Sequence, residues 1–417
     1  MGTSISTVNG FKHFNQKLYS AISQTQTDNN IFLSPSSIAL AISMCTIGAQ
    51  HETLNQMLQT LEFSSKEELI QSSEQILNIF NLVDKDRQIQ LKLANRLYAQ
   101  KTYQIQEEYL QIIRKSFSAD MKLEDFRNKS EQIVQAINNW VEDQTNQLIK
   151  NLLSPIDIRA DIRLIIINCI YFKGTWVKQF DERKTNHDAN FHEVNGTNSK
   201  ISLMYQYGKF AYAENKSLQI QIVHIPYKSS NENVQFVFTI ILPNEGVLLS
   251  KIEEKFASKV DLLEDTLHQR NTTSQELLLY IPKFKMEFSC ELKSVLEQLG
   301  MKNAFDENQA DFNDIFKKQD DGFGLFISKV IHKAFIDVNE QGTEAAAATA
   351  ILGVAKGIGR RQPQPILFRT DRPFLFYIRE VRQNQTLFTG KFLTCTNLST
   401  YEISFQIVHS IFSNFHC

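Results

Sequence analysis

Apolar residues recur at helical spacing through the first third of the chain and at strand spacing through much of the rest. Val8, Phe11, Phe14, Leu18 and Ile22 predict a first helix that ends near the polar run 24–30. A second helix follows Pro35. Ser34 and Ser36 are its candidate caps, and Ile38, Ala39, Ile42, Cys45 and Ile47 make it apolar enough to lie centrally. Helical patterns continue over 54–61, 69–83 and, carrying Trp140, 133–153. Strand patterns cover 91–99, 162–172, 218–225, 234–242, 277–284 and 325–338, and a hairpin pattern joins 374–381 to 386–393 through Arg382, Gln383, Asn384 and Gln385. The run 162–172 is almost continuous Leu and Ile, the mark of a central strand covered on both faces. Helices come first, strands later, with no βαβ rhythm. This order predicts an α+β architecture of several mostly antiparallel sheets. The tail 397–417 carries Ile403, Phe405, Ile407, Ile411, Phe412 and Phe415 without a clear period.

One stretch contradicts its surroundings. From Thr343 and Glu344 the chain runs into Ala345, Ala346, Ala347 and Ala348, the strongest helix-forming run present. Upstream lies a strand pattern, and downstream Gly357, Gly359, Pro363 and Pro365 break any regular element. Local preference that disagrees with context marks a functional or strained segment. If extended, Thr343, Ala345, Ala347 and Thr349 would share one face, and all four are small enough to slide between existing strands. An ordinary helix or plain loop is the competing reading.

Composition narrows the function classes. The chain has 417 residues with 42% hydrophobic content, which length alone would divide into two or three domains, although no linker or repeat separates any. Lys plus Arg number 44 against 46 Asp plus Glu, so no global field favours nucleic acid or an anionic membrane. The compact basic cluster Lys356, Arg360 and Arg361 lies between glycines and prolines and reads as an exposed, cleavable loop. The run 69–83 has Lys85 and Arg87 only beyond its end and offers no basic helix face for a polyanion such as heparin.

Five scattered cysteines in mostly apolar runs read as buried free thiols. The first 30 residues lack the apolar core of a secretory signal, so the expected location is cytoplasmic, with export by an unconventional route as the alternative. The sequons at Asn128 and Asn271 matter only on a secretory route, and Met1 to Ser6 fits a myristoylation pattern at Gly2 whose single chain binds membranes marginally. The longest apolar run, 164–172, is far below the ~20 residues that span a bilayer.

Catalytic motifs are missing from the sequence: no Gly-x-Ser-x-Gly elbow, zinc-type Cys-x-x-Cys, His-Glu-x-x-His or phosphate loop occurs. Gly353, Gly357 and Gly359 are followed by residues that cannot open a helix over a phosphate. His187 and His192 lie in a polar segment read as a solvated loop, and Asp311, Asp314, Asp320 and Asp321 lack calcium-loop spacing. No cofactor, metal site or enzymatic activity is expected.

Several motifs in order resemble the serpin family. Asn-Ile-Phe-Leu-Ser-Pro-Ser-Ser-Ile over 30–38 is similar to its signature before a central helix, and Asn-Cys-Ile-Tyr-Phe-Lys-Gly-Thr-Trp over 168–176 to its central-strand motif. Ile-Pro-Lys-Phe over 281–284, Asp-Arg-Pro-Phe-Leu-Phe over 371–376 and Phe-Thr-Gly-Lys over 388–391 are similar to its late strands, and 338–350 resembles the hinge of inhibitory members. The resemblance implies one domain over 1–396, with three β-sheets and eight or nine helices. Its exposed reactive loop would lie near 340–365, and 397–417 would be an extension of unknown role. It implies a hinge at Glu340, Gly342, Thr343, Glu344, Ala345, Ala346, Ala347, Ala348 and Thr349, and sheet-opening residues Ser34, Asn168, Trp176, Lys329 and His332.

Under this resemblance the chain is a suicide-substrate inhibitor that traps a serine protease as a covalent acyl complex and acts as a monomer. Counting from Gly342, the bait bond is Lys356–Gly357, which suits a trypsin-like protease. The interval from Gly342 to Pro373 is several residues longer than usual in the family, so Arg360 and Arg361 are alternative bait residues. Two other functions stay open: a non-inhibitory storage, carrier or chaperone serpin, and cross-class inhibition of papain-like cysteine proteases.

Overall fold

The computed structural model describes residues 11–317, 324–342 and 364–395. Nine α-helices and three sheets occur among the described residues. Helix Pro35–Ile47 is buried along its whole length, as its unbroken apolar sequence requires, and Ser34 caps it by accepting from the Ser37 amide. Helices Lys12–Thr25, His51–Leu61 and Lys66–Val83 pack around it on their apolar faces.

The five-stranded sheet runs in the order Phe284–Glu291, Ile327–Val338, Leu164–Gly174, Ile89–Gln100, Asp120–Glu124. Ile327–Val338 and Leu164–Gly174 lie side by side and parallel, and each is antiparallel to its other neighbour. Helix Pro35–Ile47 belongs to the large core on one face. Helix Ser130–Gln144 covers the other face through a separate apolar cluster that joins Ile133, Ile137 and Val141 to Tyr98, Ile165, Ile167 and Ile331. The nine-stranded sheet is antiparallel except where Ile366–Arg369 joins Thr273–Pro282 in parallel. The third sheet pairs Gln104–Ile105 with Phe316–Lys317.

Three sequence expectations need correction. The helix predicted over 133–153 stops at Gln144. There the Thr145 hydroxyl donates to the Val141 carbonyl at 2.7 Å and accepts from the Ile149 amide at 3.3 Å, while Asn146 and Gln147 turn to positive φ. The single strand predicted over 277–284 is the end of Thr273–Pro282 and the start of Phe284–Glu291, which belong to different sheets. His187 and His192 sit on an edge strand, Asn186–His192, with exposed side chains rather than in a loop. Its partner Asn198–Asn215 went unforeseen because its polar and apolar residues change faces partway along.

Candidate functional site

The parallel seam between Ile327–Val338 and Leu164–Gly174 holds a buried polar cluster. Asn95, Asn168 and His332 stand directly opposite one another across three neighbouring strands. Asn168 and His332 are both fully buried, so each polar atom needs a partner. Asn168 finds all of its partners: its Oδ1 accepts from His332 Nδ1 at 2.5 Å and from Ser37 Oγ at 3.0 Å, and its Nδ2 donates to the Ser37 carbonyl at 3.1 Å and to Asn95 Oδ1. The other imidazole nitrogen, Nε2, lies 3.3 Å from the Ser34 amide. Because that amide can only donate, Nε2 accepts and the proton resides on Nδ1. Burial pushes the His332 imidazole down to about 3, so it is neutral at ordinary pH. Ser34 Oγ in turn donates to the Leu387 carbonyl at 2.6 Å. The cluster therefore fastens the seam to the start of helix Pro35–Ile47 and to strand Gln385–Phe392.

Above this cluster the seam opens. Its ladder ends at Phe335 and Tyr171, three residues before strand Ile327–Val338 ends. The chain then reverses. Asn339 and Gly342 exchange both backbone hydrogen bonds, at 2.8 and 3.2 Å, so Glu340 and Gln341 form a tight turn. Gly342 also bridges Thr175 in antiparallel sense. The position admits only glycine: φ is +141°, and a Cβ would lie 2.0 Å from the Gly174 carbonyl oxygen. At Gly342 itself the chain thus runs antiparallel to the end of strand Leu164–Gly174.

Trp176 anchors this reversal. Its ring is buried, stacks on Tyr227 with centroids 4.3 Å apart, and donates through Nε1 to the Asn339 carbonyl at 2.9 Å. The amides of Trp176 and Phe180 donate to the carbonyls of Gln341 and Glu340 at 3.1 and 2.8 Å. Glu340 points inward to Lys283 Nζ at 2.8 Å and accepts from Thr185 Oγ1 at 2.9 Å. Burial opposes ionisation of Glu340, but Lys283, the residue's own backbone amide and Thr185 together outweigh it and hold the carboxyl below the usual range.

Ser34, Asn168 and His332 thus come together at the middle of the seam, and Trp176, Glu340 and Gly342 at its top. Lys329 stands apart toward the lower end, opposite Ile165, and pairs with Asp157 at 3.0 Å. Thr343, Glu344, Ala345, Ala346, Ala347, Ala348, Thr349, Lys356, Gly357, Arg360, Arg361 and the extension 397–417 lie outside the described residues. Asn95, Thr185 and Tyr227 were missed as site residues. Only Asn95 left a signal, as an amide in the middle of an otherwise apolar strand pattern.

A five-stranded sheet with a parallel seam, a buried polar cluster across it and a glycine turn at its top belongs to a known architecture. The family model described as Serpin (serine protease inhibitor) matches residues 9–395. The chain belongs to the serpin family. Human Serpin B3 is 35% identical over 379 residues, covering 88% of this chain and 93% of that protein. Human leukocyte elastase inhibitor is 35% identical over 375 residues, covering 90% and 96%. Among solved structures, Serpin48 of the insect Tenebrio molitor superposes with TM-score 0.80 at 28% identity, over 94% of this chain and all of that one. Arabidopsis AtSerpin1 in its native stressed conformation gives 0.81 at 26% identity, over 94% and 99%. The three-sheet serpin fold and its nine described helices accord with the sequence expectation. Among the described residues no helix is long and apolar enough to cross a membrane.

Proposed function

We propose that this protein is a single-use inhibitor of trypsin-like serine proteases, built as one domain over 1–396 with Lys356–Gly357 as bait bond. The protease serine attacks the Lys356 carbonyl carbon, the Lys356–Gly357 bond breaks, the Gly357 amine leaves with a proton, and an ester joins the protease to Lys356. The freed strand beginning at Thr343 then enters the seam and carries the protease away before water deacylates the ester. Insertion of a reactive loop into the main sheet is an established form of strand addition in this family.

The observation that carries the reading is the Asn339–Gly342 reversal at the top of the parallel seam, where Gly342 bridges Thr175 in antiparallel sense. A strand entering there exchanges one parallel ladder for two antiparallel ones. Each added backbone hydrogen bond contributes ~1 kcal/mol net, so filling the seam favours the inserted state by on the order of ten kcal/mol. The small residues Thr343, Ala345, Ala347 and Thr349 suit that passage. A lysine bait suits a pocket lined by a carboxylate.

The test is incubation with trypsin followed by denaturing electrophoresis and mass measurement of the released carboxy-terminal fragment. A detergent-stable complex with a fragment beginning at Gly357 is expected. Cleavage without complex overturns the inhibitory reading, and a fragment beginning after Arg360 or Arg361 moves the bait residue.

A further inference from the structure

Strand Asp120–Glu124 closes one side of the five-stranded sheet, and among the described residues no strand pairs with its outer edge. Alternate residues of a strand turn their backbone groups toward opposite neighbours. The Glu124 carbonyl accepts from the Lys101 amide at 2.8 Å, on the side of strand Ile89–Gln100, so Asp120, Lys122 and Glu124 address the sheet. Met121 and Leu123 therefore present their N–H and C=O groups to the open edge. Such an edge templates another strand, and proteins usually blunt it with a bulge, a proline or a cover. This one has neither bulge nor proline: its register against Ile89–Gln100 runs unbroken from Asp120 to Glu124.

The side chains add to the opening. Lys122 and Glu124 lie opposite Tyr98 and Gln100, on the face that helix Ser130–Gln144 covers, and Leu123 lies opposite Ala99 on the other face. Leu123 is 38% exposed, and Ile112, on the helix Glu107–Phe117 that packs beside this strand, is 39% exposed. Asp120 is held by Arg114 at 3.3 Å and Asp125 by Lys101 at 2.7 Å, whereas no ion pair among the described residues uses Lys122 or Glu124.

This edge is complementary to itself in one register. Two copies meeting antiparallel about a twofold axis pair through their outward residues, Met121 and Leu123. With Met121 opposite Leu123, Lys122 meets Lys122 and Asp120 meets Glu124, and like charges opposed across strands repel. With Met121 opposite Met121, a buried side chain lies at the axis, and Lys122 meets an Asp120 that Arg114 already holds. With Leu123 opposite Leu123, the two residues exchange both backbone hydrogen bonds. Each Lys122 then stands opposite the free Glu124 of the other copy, and the exposed leucines meet on the opposite face.

We propose that strand Asp120–Glu124 is a self-association surface, through which a second copy of this chain extends the five-stranded sheet across a twofold axis. The proposal is independent of the inhibitory reading and makes the monomer one side of an equilibrium. Central hydrogen bonds and exposed ion pairs each contribute little, so the dimer is weak. Sedimentation equilibrium of the full chain at low salt, from micromolar to submillimolar concentration, should show monomer and dimer. Lys122→Glu places carboxylates opposite one another twice and should weaken association about tenfold. Exchanging the signs with Lys122→Glu/Glu124→Lys rebuilds both pairs and should restore it, which a merely damaged fold would not do. If Lys122→Glu melts lower than the intact protein, Glu124→Lys, which opposes two lysines instead, carries the comparison. A chain that stays monomeric at the highest concentration overturns the proposal. So does equal association of the single variant, or an exchanged variant that stays as weak as the single one.

Discussion

Asn168→Ala separates the native state from the inserted one. In the native sheet Asn168 and His332 are direct neighbours across the seam, joined at 2.5 Å. Neighbouring strands are ~4.8 Å apart, so a strand between them would part these residues to about 9.6 Å and break that hydrogen bond. The cluster therefore stabilises the empty seam against the filled one. Removing the amide strands the His332 Nδ1–H in a dry interior and takes a partner from the half-buried Asn95 Oδ1, while the Ser37 hydroxyl keeps the Ser34 carbonyl at 3.0 Å. At ~2 kcal/mol for the stranded imidazole N–H and ~1 kcal/mol for the lost Asn95 bond, the native state loses about 3 kcal/mol. An unfolding entropy of ~2.1 cal/mol/K per residue is about 0.9 kcal/mol/K for this chain, so the native melting temperature should fall by about 3 °C. The assay is thermal unfolding by circular dichroism before and after cleavage of the loop. The native form should show the full drop and the cleaved form a clearly smaller one. An equal drop in both forms would refute the assignment of this cluster to the empty seam.

Three further outcomes are expected. The imidazoles of His224 and His332 are both pushed down to about 3 by burial, so the unfolded chain takes up their protons first as pH falls below ~6.5. Their stabilising contribution is complete above that pH and is lost progressively toward 3, by about 2 kcal/mol each at pH 5. Urea denaturation at pH 7.5, 6 and 5 reads this loss, and a flat profile contradicts it. Gly342→Ala places a Cβ against the Gly174 carbonyl, which should cost on the order of 2–3 kcal/mol and raise the number of inhibitor molecules consumed per trypsin trapped. Thr343→Arg should leave the fold intact and turn inhibition into plain cleavage, because the first residue to enter the seam would bring an unpaired charge; undiminished complex on a gel speaks against insertion.

The sequence made much of this legible. Helix Pro35–Ile47 and strand Leu164–Gly174 are buried on all sides, and an apolar run without a polar face can adopt little else. The hairpin Phe374–Glu380 and Gln385–Phe392 followed from two strand patterns joined by a polar turn. Strand Asn198–Asn215 was hidden because it serves three sheet neighbours along its length and its pattern answers to all of them. Helix Ser130–Gln144 ended early because a threonine hydroxyl took over the backbone, a choice that apolar periodicity does not encode.

By itself the sequence determined the helical first third, the central strands, the contradictory run after Gly342 and the basic residues set within it. Each of these depends on local propensity or on burial of the residue's own face. Only the tertiary structure decided that Ile327–Val338 lies parallel to Leu164–Gly174, that Asn95, Asn168 and His332 share one row, and that Glu340 meets Lys283. Those facts belong to strand register, which is fixed by contacts between residues far apart in the chain. No window of sequence contains both partners.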